Sequence, residues 1–220
     1  MLAPVSRLRK QDIVWLARHR CRHYHSYLEH YSCYLEENPH RVRIGFFDIE
    51  ASNLSASFGI MLSYCIKVGG KKEILHGVIS KKDLGGDLDK RIVEKCVKDL
   101  STFDRVVTFY GKRFDFPFLR TRAVTLGVPF FNYGELIHED VYFNIREKFK
   151  LHSNRLEQAC RTLLGKTDKT HITPEYWIKA LQGDKRSLDY ILTHNKYDVK
   201  DLEKLYNKVY SFKMDSHSSI

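Results

Sequence analysis

From Arg43 onward the chain alternates between short apolar runs and amphipathic stretches. RIGFFDIE (43–50) and RVVTFYG (105–111) are apolar runs of strand length. IMLSYCIKV, the pair Gly69-Gly70 and KEILHGVIS read together as two strands joined by a hairpin turn. Across 87–100, Ile92, Val93, Cys96, Val97 and Leu100 recur at helical spacing. DFPFLRTRAVTLG opens a helix that Gly127 ends, and further helices are expected over 154–164, 174–182 and 186–210. Strands first, then strand alternating with helix, define an α/β fold with a mixed β-sheet flanked by α-helices. Residues 1–40 differ, being crowded with His, Cys, Arg and Tyr and ending at Asn38-Pro39. They read as a basic N-terminal extension, residues 41–211 as the main domain and 212–220 as a polar tail.

With 43% hydrophobic residues in 220, the chain can bury a core, which excludes a wholly disordered protein. No apolar run is long enough to cross a bilayer, so no membrane partner is expected. Charges interrupt the first 20 residues where a signal peptide needs an apolar core, so a cytoplasmic location is expected. The scattered, odd set of five cysteines fits a reducing compartment. Thirty-seven Lys and Arg against 27 Asp and Glu leave a net charge of +10, which points to a polyanionic partner, nucleic acid first.

The candidate chemistry lies in carboxylates. Strand alternation puts Asp48 and Glu50 on one face at the end of an apolar strand, where two acids are costly unless a cation compensates them. A divalent ion with hard oxygen ligands does so. Asp115, in FDFPFL, is enclosed by apolar residues at a helix start, a good N-cap position that does not exclude metal ligation. In the last helix two pairs one turn apart compete, His194/Asp198 and Tyr197/Asp201. At about 100° per residue, Asp198 falls roughly 40° from the middle of the apolar stripe and Asp201 roughly 100° away. Asp198 is therefore expected inside and Asp201 in water, which selects His194/Asp198. Phosphodiester cleavage needs charge stabilised on both the attacking and the leaving oxygen, which two divalent ions held by carboxylates supply. A histidine can take the proton of the attacking water.

RIGFFDIEASNLSASFG, VVTFYGKRFDFPFL and HNKYDVKDLEKLY, in that order, resemble the three motifs of the DEDD-superfamily, ribonuclease H-like 3′–5′ exonucleases. The YprB-type stand-alone branch, related to the proofreading domains of family B DNA polymerases, is the most similar. HEDVYFNIREKF and HSNRLEQACRTLLGK resemble its linking segment. The resemblance covers roughly residues 42–210. It implies a ribonuclease H-like fold, with Asp48, Glu50, Asp115 and Asp198 as ligands of two Mg²⁺ or Mn²⁺ ions and His194 as general base. It also implies attack on single-stranded or frayed 3′ ends of DNA or RNA, with a polymerase as a protein partner in trans. Asp140 stands where relatives often carry Asp and is an accessory candidate. Tyr110 departs from the pattern, since many relatives have Asn before this glycine. The alternatives are a non-catalytic nucleic-acid-binding module and a structure-specific ribonuclease H-like endonuclease.

In the extension, Cys21, His23, His25, His30 and Cys33 fall within 13 residues. A structural zinc could use Cys21, His25, His30 and Cys33, although the spacing matches no standard finger. The competing expectation is an amphipathic basic helix. Arg7, Arg9, Lys10, Arg18, Arg20 and Arg22 would then meet phosphate backbone, with tyrosines for stacking.

Overall fold

The computed structural model describes residues 10–38, 42–132, 135–167 and 172–212. Five strands, β1 (Ile44–Ala51), β2 (Met61–Val68), β3 (Ile74–Val78), β4 (Arg105–Thr108) and β5 (Ile137–Asp140), form one sheet in the order β3-β2-β1-β4-β5. β1 pairs antiparallel with β2 and β2 with β3, whereas β1, β4 and β5 run parallel. The expected mixed sheet is what the chain forms. Among the described residues the helices are α1 (Lys10–Arg18), α2 (Tyr31–Glu37), α3 (Lys81–Leu84), α4 (Lys90–Leu100), α5 (Asp115–Thr125), α6 (Val141–Lys148), α7 (Leu156–Leu164), α8 (Pro174–Leu181) and α9 (Lys185–Val209).

Pleating sorts β1 between two cores. Phe47 and Ile49 pack on the side of α4 and α5 with Ile92, Val93, Leu100, Leu119 and Ala123. Phe46 points the other way, into a core shared with Cys160 of α7 and Val199, Leu202 and Leu205 of α9. Asp48 and Glu50 are in phase with Phe46, so they project toward α9. Each fully buried leucine of the α9 stripe contributes about 1.5–3 kcal/mol, enough to hold that helix against the sheet. Its far end is pinned by Glu203, which pairs with the enclosed Lys67 of β2 at 2.6 Å and accepts the Gly70 N–H at 2.7 Å. Gly70 turns the β2–β3 hairpin with φ +69°. Gly127, at φ +68°, ends α5 as expected, with the Val128 N–H bonded to the Ala123 carbonyl at 2.8 Å.

β5 and α6 were not foreseen. IHED offers no apolar run, and all four residues are only partly buried. β5 nevertheless completes the sheet and carries His138, whose Nε2 lies 2.7 Å from Thr108 Oγ1 and whose ring packs on Phe116. Burial, with Lys112 nearby, pushes the imidazole down from 6.5 to about 4. The fold thus favours neutral His138, so its stabilising share is present above pH 6.5 and lost as pH falls toward about 4. The melting temperature should drop across that window, and the drop should be shallower in His138→Gln. Parallel profiles for the two proteins would contradict this.

Before the sheet, Leu16, Tyr34 and Leu35 of α1 and α2 form a small separate core, packed with Val42 and with Ile137 of β5. Arg7 and Arg9 of the basic series, and residues 213–220 of the tail, lie outside the described residues, as does the Lys10 side chain. Among the described residues no helix is long and apolar enough to cross a membrane.

Candidate active site

Three elements meet where β1 ends. β1 brings Asp48 and Glu50, the start of α5 brings Asp115, and the middle of α9 brings His194 and Asp198. His194 and Asp198 are both buried, one turn apart on the helix face that meets the sheet. His194 Nε2 lies 3.5 Å from Asp198 Oδ2 and 3.7 Å from Glu50 Oε1. One donor atom from each of Glu50, His194 and Asp198 falls within 4.8 Å of the others. Asp48 and Asp198 both line a cavity of about 740 Å³, the size of a small-ligand site. Phe109, Tyr110 and Tyr142 form another part of its wall, and residues 152–157 the rest. The carboxylates of Glu50 and Asp198, with Asp48 on the adjoining wall, are hard oxygen donors that suit Mg²⁺ or Mn²⁺, and the His194 imidazole lies beside them.

Asp115 is not the N-cap its position suggested. Phe114 is the N-cap and makes no side-chain bond; Asp115 is the first helical residue. Its Oδ1 reaches across to accept the Ile49 N–H at 2.9 Å, so it ties α5 to the strand between Asp48 and Glu50. Burial pushes its carboxyl up to about 7 despite that bond, and the charges of Asp140 and Asp198 push the same way. A cation nearby would favour its ionised form.

Asp201 is a correction. It is 2% exposed rather than in water, accepting from Thr167 Oγ1 at 2.8 Å and pairing with Lys204 at 3.0 Å. Angular position on an isolated helix overlooked Thr167, beyond the end of α7, whose hydroxyl meets Asp201 on that side of α9. The carboxylate of Asp201 is engaged there, while Asp198 reaches the cavity.

Asp140 accepts three backbone N–H groups, from Tyr110 at 2.8 Å, Lys112 at 2.9 Å and Tyr142 at 3.1 Å. It caps α6 and clamps the turn after β4. That turn explains the unusual Tyr110, which sits at φ +68°, where Asn or Gly is favoured over a bulky residue. Gly111 follows because a Cβ there would lie 2.5 Å from the Thr108 side chain. Strain of about 1–3 kcal/mol is the usual cost of such backbone, and it tends to sit where function needs it. Tyr110 is half exposed, packs edge-on against Tyr142 and lines the cavity. Tyr110→Asn should therefore raise thermal stability while weakening binding of nucleic acid, measured by melting and by fluorescence anisotropy. Tighter or equal binding by the variant would contradict it.

Sequence reading missed Asn195. Fully buried, it donates from Nδ2 to the Asp48 carbonyl at 3.3 Å and ties α9 to the strand beside the acids. A polar residue inside the apolar stripe, next to His194, was the available signal. It quoted His152, Ser153, Asn154 and Arg155 only within the linking segment and did not foresee that they line the cavity.

A mixed five-stranded sheet flanked by helices is a ribonuclease H-like fold. A family model of the RNase_H superfamily matches residues 45–210, and the chain belongs to that superfamily. It is 28% identical over 136 residues to a DNA polymerase of Methanocaldococcus jannaschii, a match covering 51% of this chain and 8% of the polymerase. Its fold is similar to the family B DNA polymerase of the hyperthermophilic archaeon Pyrobaculum calidifontis, with a TM-score of 0.61 at 20% identity. That match covers 77% of this chain and 24% of the polymerase chain. The chain thus spans a small part of both relatives. Superfamily and kinship together support a nuclease-type function and nucleic acid as the partner.

Proposed function

We propose that this protein is a metal-dependent 3′–5′ exonuclease acting on single-stranded or frayed ends of DNA or RNA. One observation carries the reading: Glu50, His194 and Asp198 converge within 4.8 Å beside a cavity walled by Asp48 and aromatic rings. Asp48, Glu50 and Asp198, with Asp115 behind them, would hold Mg²⁺ or Mn²⁺. Two such ions, when bound, stabilise charge on the attacking and leaving oxygens of an in-line displacement. His194, held between Glu50 and Asp198, takes the proton of the attacking water. Tyr110, Phe109 and Tyr142 stack on unpaired bases, which favours a single strand over a duplex. Arg155 offers a guanidinium to the phosphate backbone across the cavity.

The polarity is tested with three substrates: a linear oligonucleotide, the same one blocked at its 3′ end, and a closed single-stranded circle. Shortening of the first alone supports the reading. Cutting of the circle would transfer it to the ribonuclease H-like endonucleases. Tight binding to all three without cleavage would make the chain a binding module.

A further inference from the structure

The segment before the sheet holds a second cluster of ligand-bearing side chains, chemically unlike the first. Sγ of Cys33 lies 3.3 Å from His23 Nδ1 and 3.4 Å from His30 Nδ1, and Sγ of Cys21 lies 3.5 Å from His30 Nδ1. All four ligand atoms fall within 4.8 Å of one another. Hydrogen bonds do not account for this convergence. The His30 Nδ1 faces two sulfurs and the Cys33 Sγ faces two nitrogens, while a neutral imidazole nitrogen offers one proton or one lone pair.

A metal does account for it. Zinc bonds of about 2.3 Å to sulfur and about 2.0–2.1 Å to nitrogen, at tetrahedral angles, set sulfur and nitrogen about 3.5 Å apart. The backbone is arranged for the same purpose. After α1 the chain reverses in a tight turn, with the Cys21 N–H bonded to the His25 carbonyl at 2.9 Å and Tyr24 in the left-handed region. That turn presents Cys21 and His23. His30 is the N-cap of α2 and Cys33 lies three residues on, the spacing that puts two side chains on one helix face. The set differs from the sequence expectation in one member: His23 belongs to it and His25 does not. His25 packs its ring edge-on against His30 instead.

We propose that Cys21, His23, His30 and Cys33 bind a structural zinc ion. Four protein ligands fill the tetrahedron and leave no open position, which marks a structural rather than a catalytic ion. Two thiolates and two imidazoles are soft enough to select zinc, where the Asp48 site selects a hard cation. Two thiolates also neutralise its charge. The fold needs the staple, because three buried residues, Leu16, Tyr34 and Leu35, are a small core for the segment 10–38.

The test uses the untagged full chain expressed with zinc in the medium, with metal measured by plasma mass spectrometry. About one zinc per chain is expected in wild type, in His25→Ala and in Asp48→Asn. Zinc should fall below about a tenth of that in the double variant Cys21→Ser, Cys33→Ser. His23→Ala, an exposed substitution the fold can accept, should release its zinc to a chromogenic chelator at least about tenfold more readily than wild type. Cobalt-loaded wild type should show sulfur-to-metal charge-transfer absorption and intense tetrahedral bands, both lost in the double variant. Zinc-free wild type, zinc kept by the double cysteine variant, or a Cys21–Cys33 disulfide in its place would each overturn the proposal.

Discussion

Asp48→Asn and Asp198→Asn should each slow nucleotide release by at least about a thousandfold while leaving the fold intact. Charge stabilisation at a phosphoryl centre is worth several kcal/mol, and each 1.4 kcal/mol or so is about tenfold in rate. Asn keeps the shape of Asp but supplies no negative charge to hold a divalent cation. Asp201→Asn is the informative control. Asp201 is as buried as Asp198, but its oxygens serve Thr167 and Lys204. Its replacement should cost stability of about 1–3 kcal/mol, the usual penalty for disturbing a buried hydrogen bond, and leave the rate within about threefold. Loss of activity with Asp201→Asn alone, in a folded protein, would mean that the Tyr197/Asp201 pair serves the chemistry.

Arg122→Met should unfold the protein more readily by about 3–5 kcal/mol, because it strands a buried charge. Asp89 is fully buried at the start of α4 and accepts the Met61 N–H at 2.7 Å. Arg122 of α5 grips it with two prongs, Nη2 at 2.5 Å and Nε at 3.0 Å, and also reaches the Ala56 carbonyl at 3.4 Å. The Arg122–Asp89 pair thus joins α4, α5, β2 and the loop after Asp48 and Glu50. Adding Asp89→Asn should recover much of the loss, since the amide oxygen still accepts from Met61 and no charge remains. Denaturant unfolding of the single and double variants measures this. A loss below about 1 kcal/mol in the single variant would contradict it.

The parts of the fold legible in the sequence were those whose pattern is local. β1 and β4 are apolar runs, the hairpin carries its glycines, and the α4 and α9 stripes repeat at helical spacing. The acids stood out for a physical reason, being costly charges at the ends of apolar segments. What was not legible depends on partners distant in the chain. β5 exists because β4 pairs with it, not because IHED favours a strand. The Asp115 carboxyl is aimed by the Ile49 N–H, 66 residues away. Asp201 is covered by Thr167 from another segment, which no helical wheel contains. His23 rather than His25 joins the cysteines because the left-handed Tyr24 reverses the chain between them.

The most direct measurement follows a 5′-labelled single-stranded oligonucleotide over time with wild type and Asp198→Asn, each in Mg²⁺ and in EDTA. The site described here predicts a ladder shortening one nucleotide at a time from the 3′ end, seen with wild type in Mg²⁺ and in none of the other three reactions. An equal ladder from Asp198→Asn, or from wild type in EDTA, would place the activity elsewhere and contradict the account.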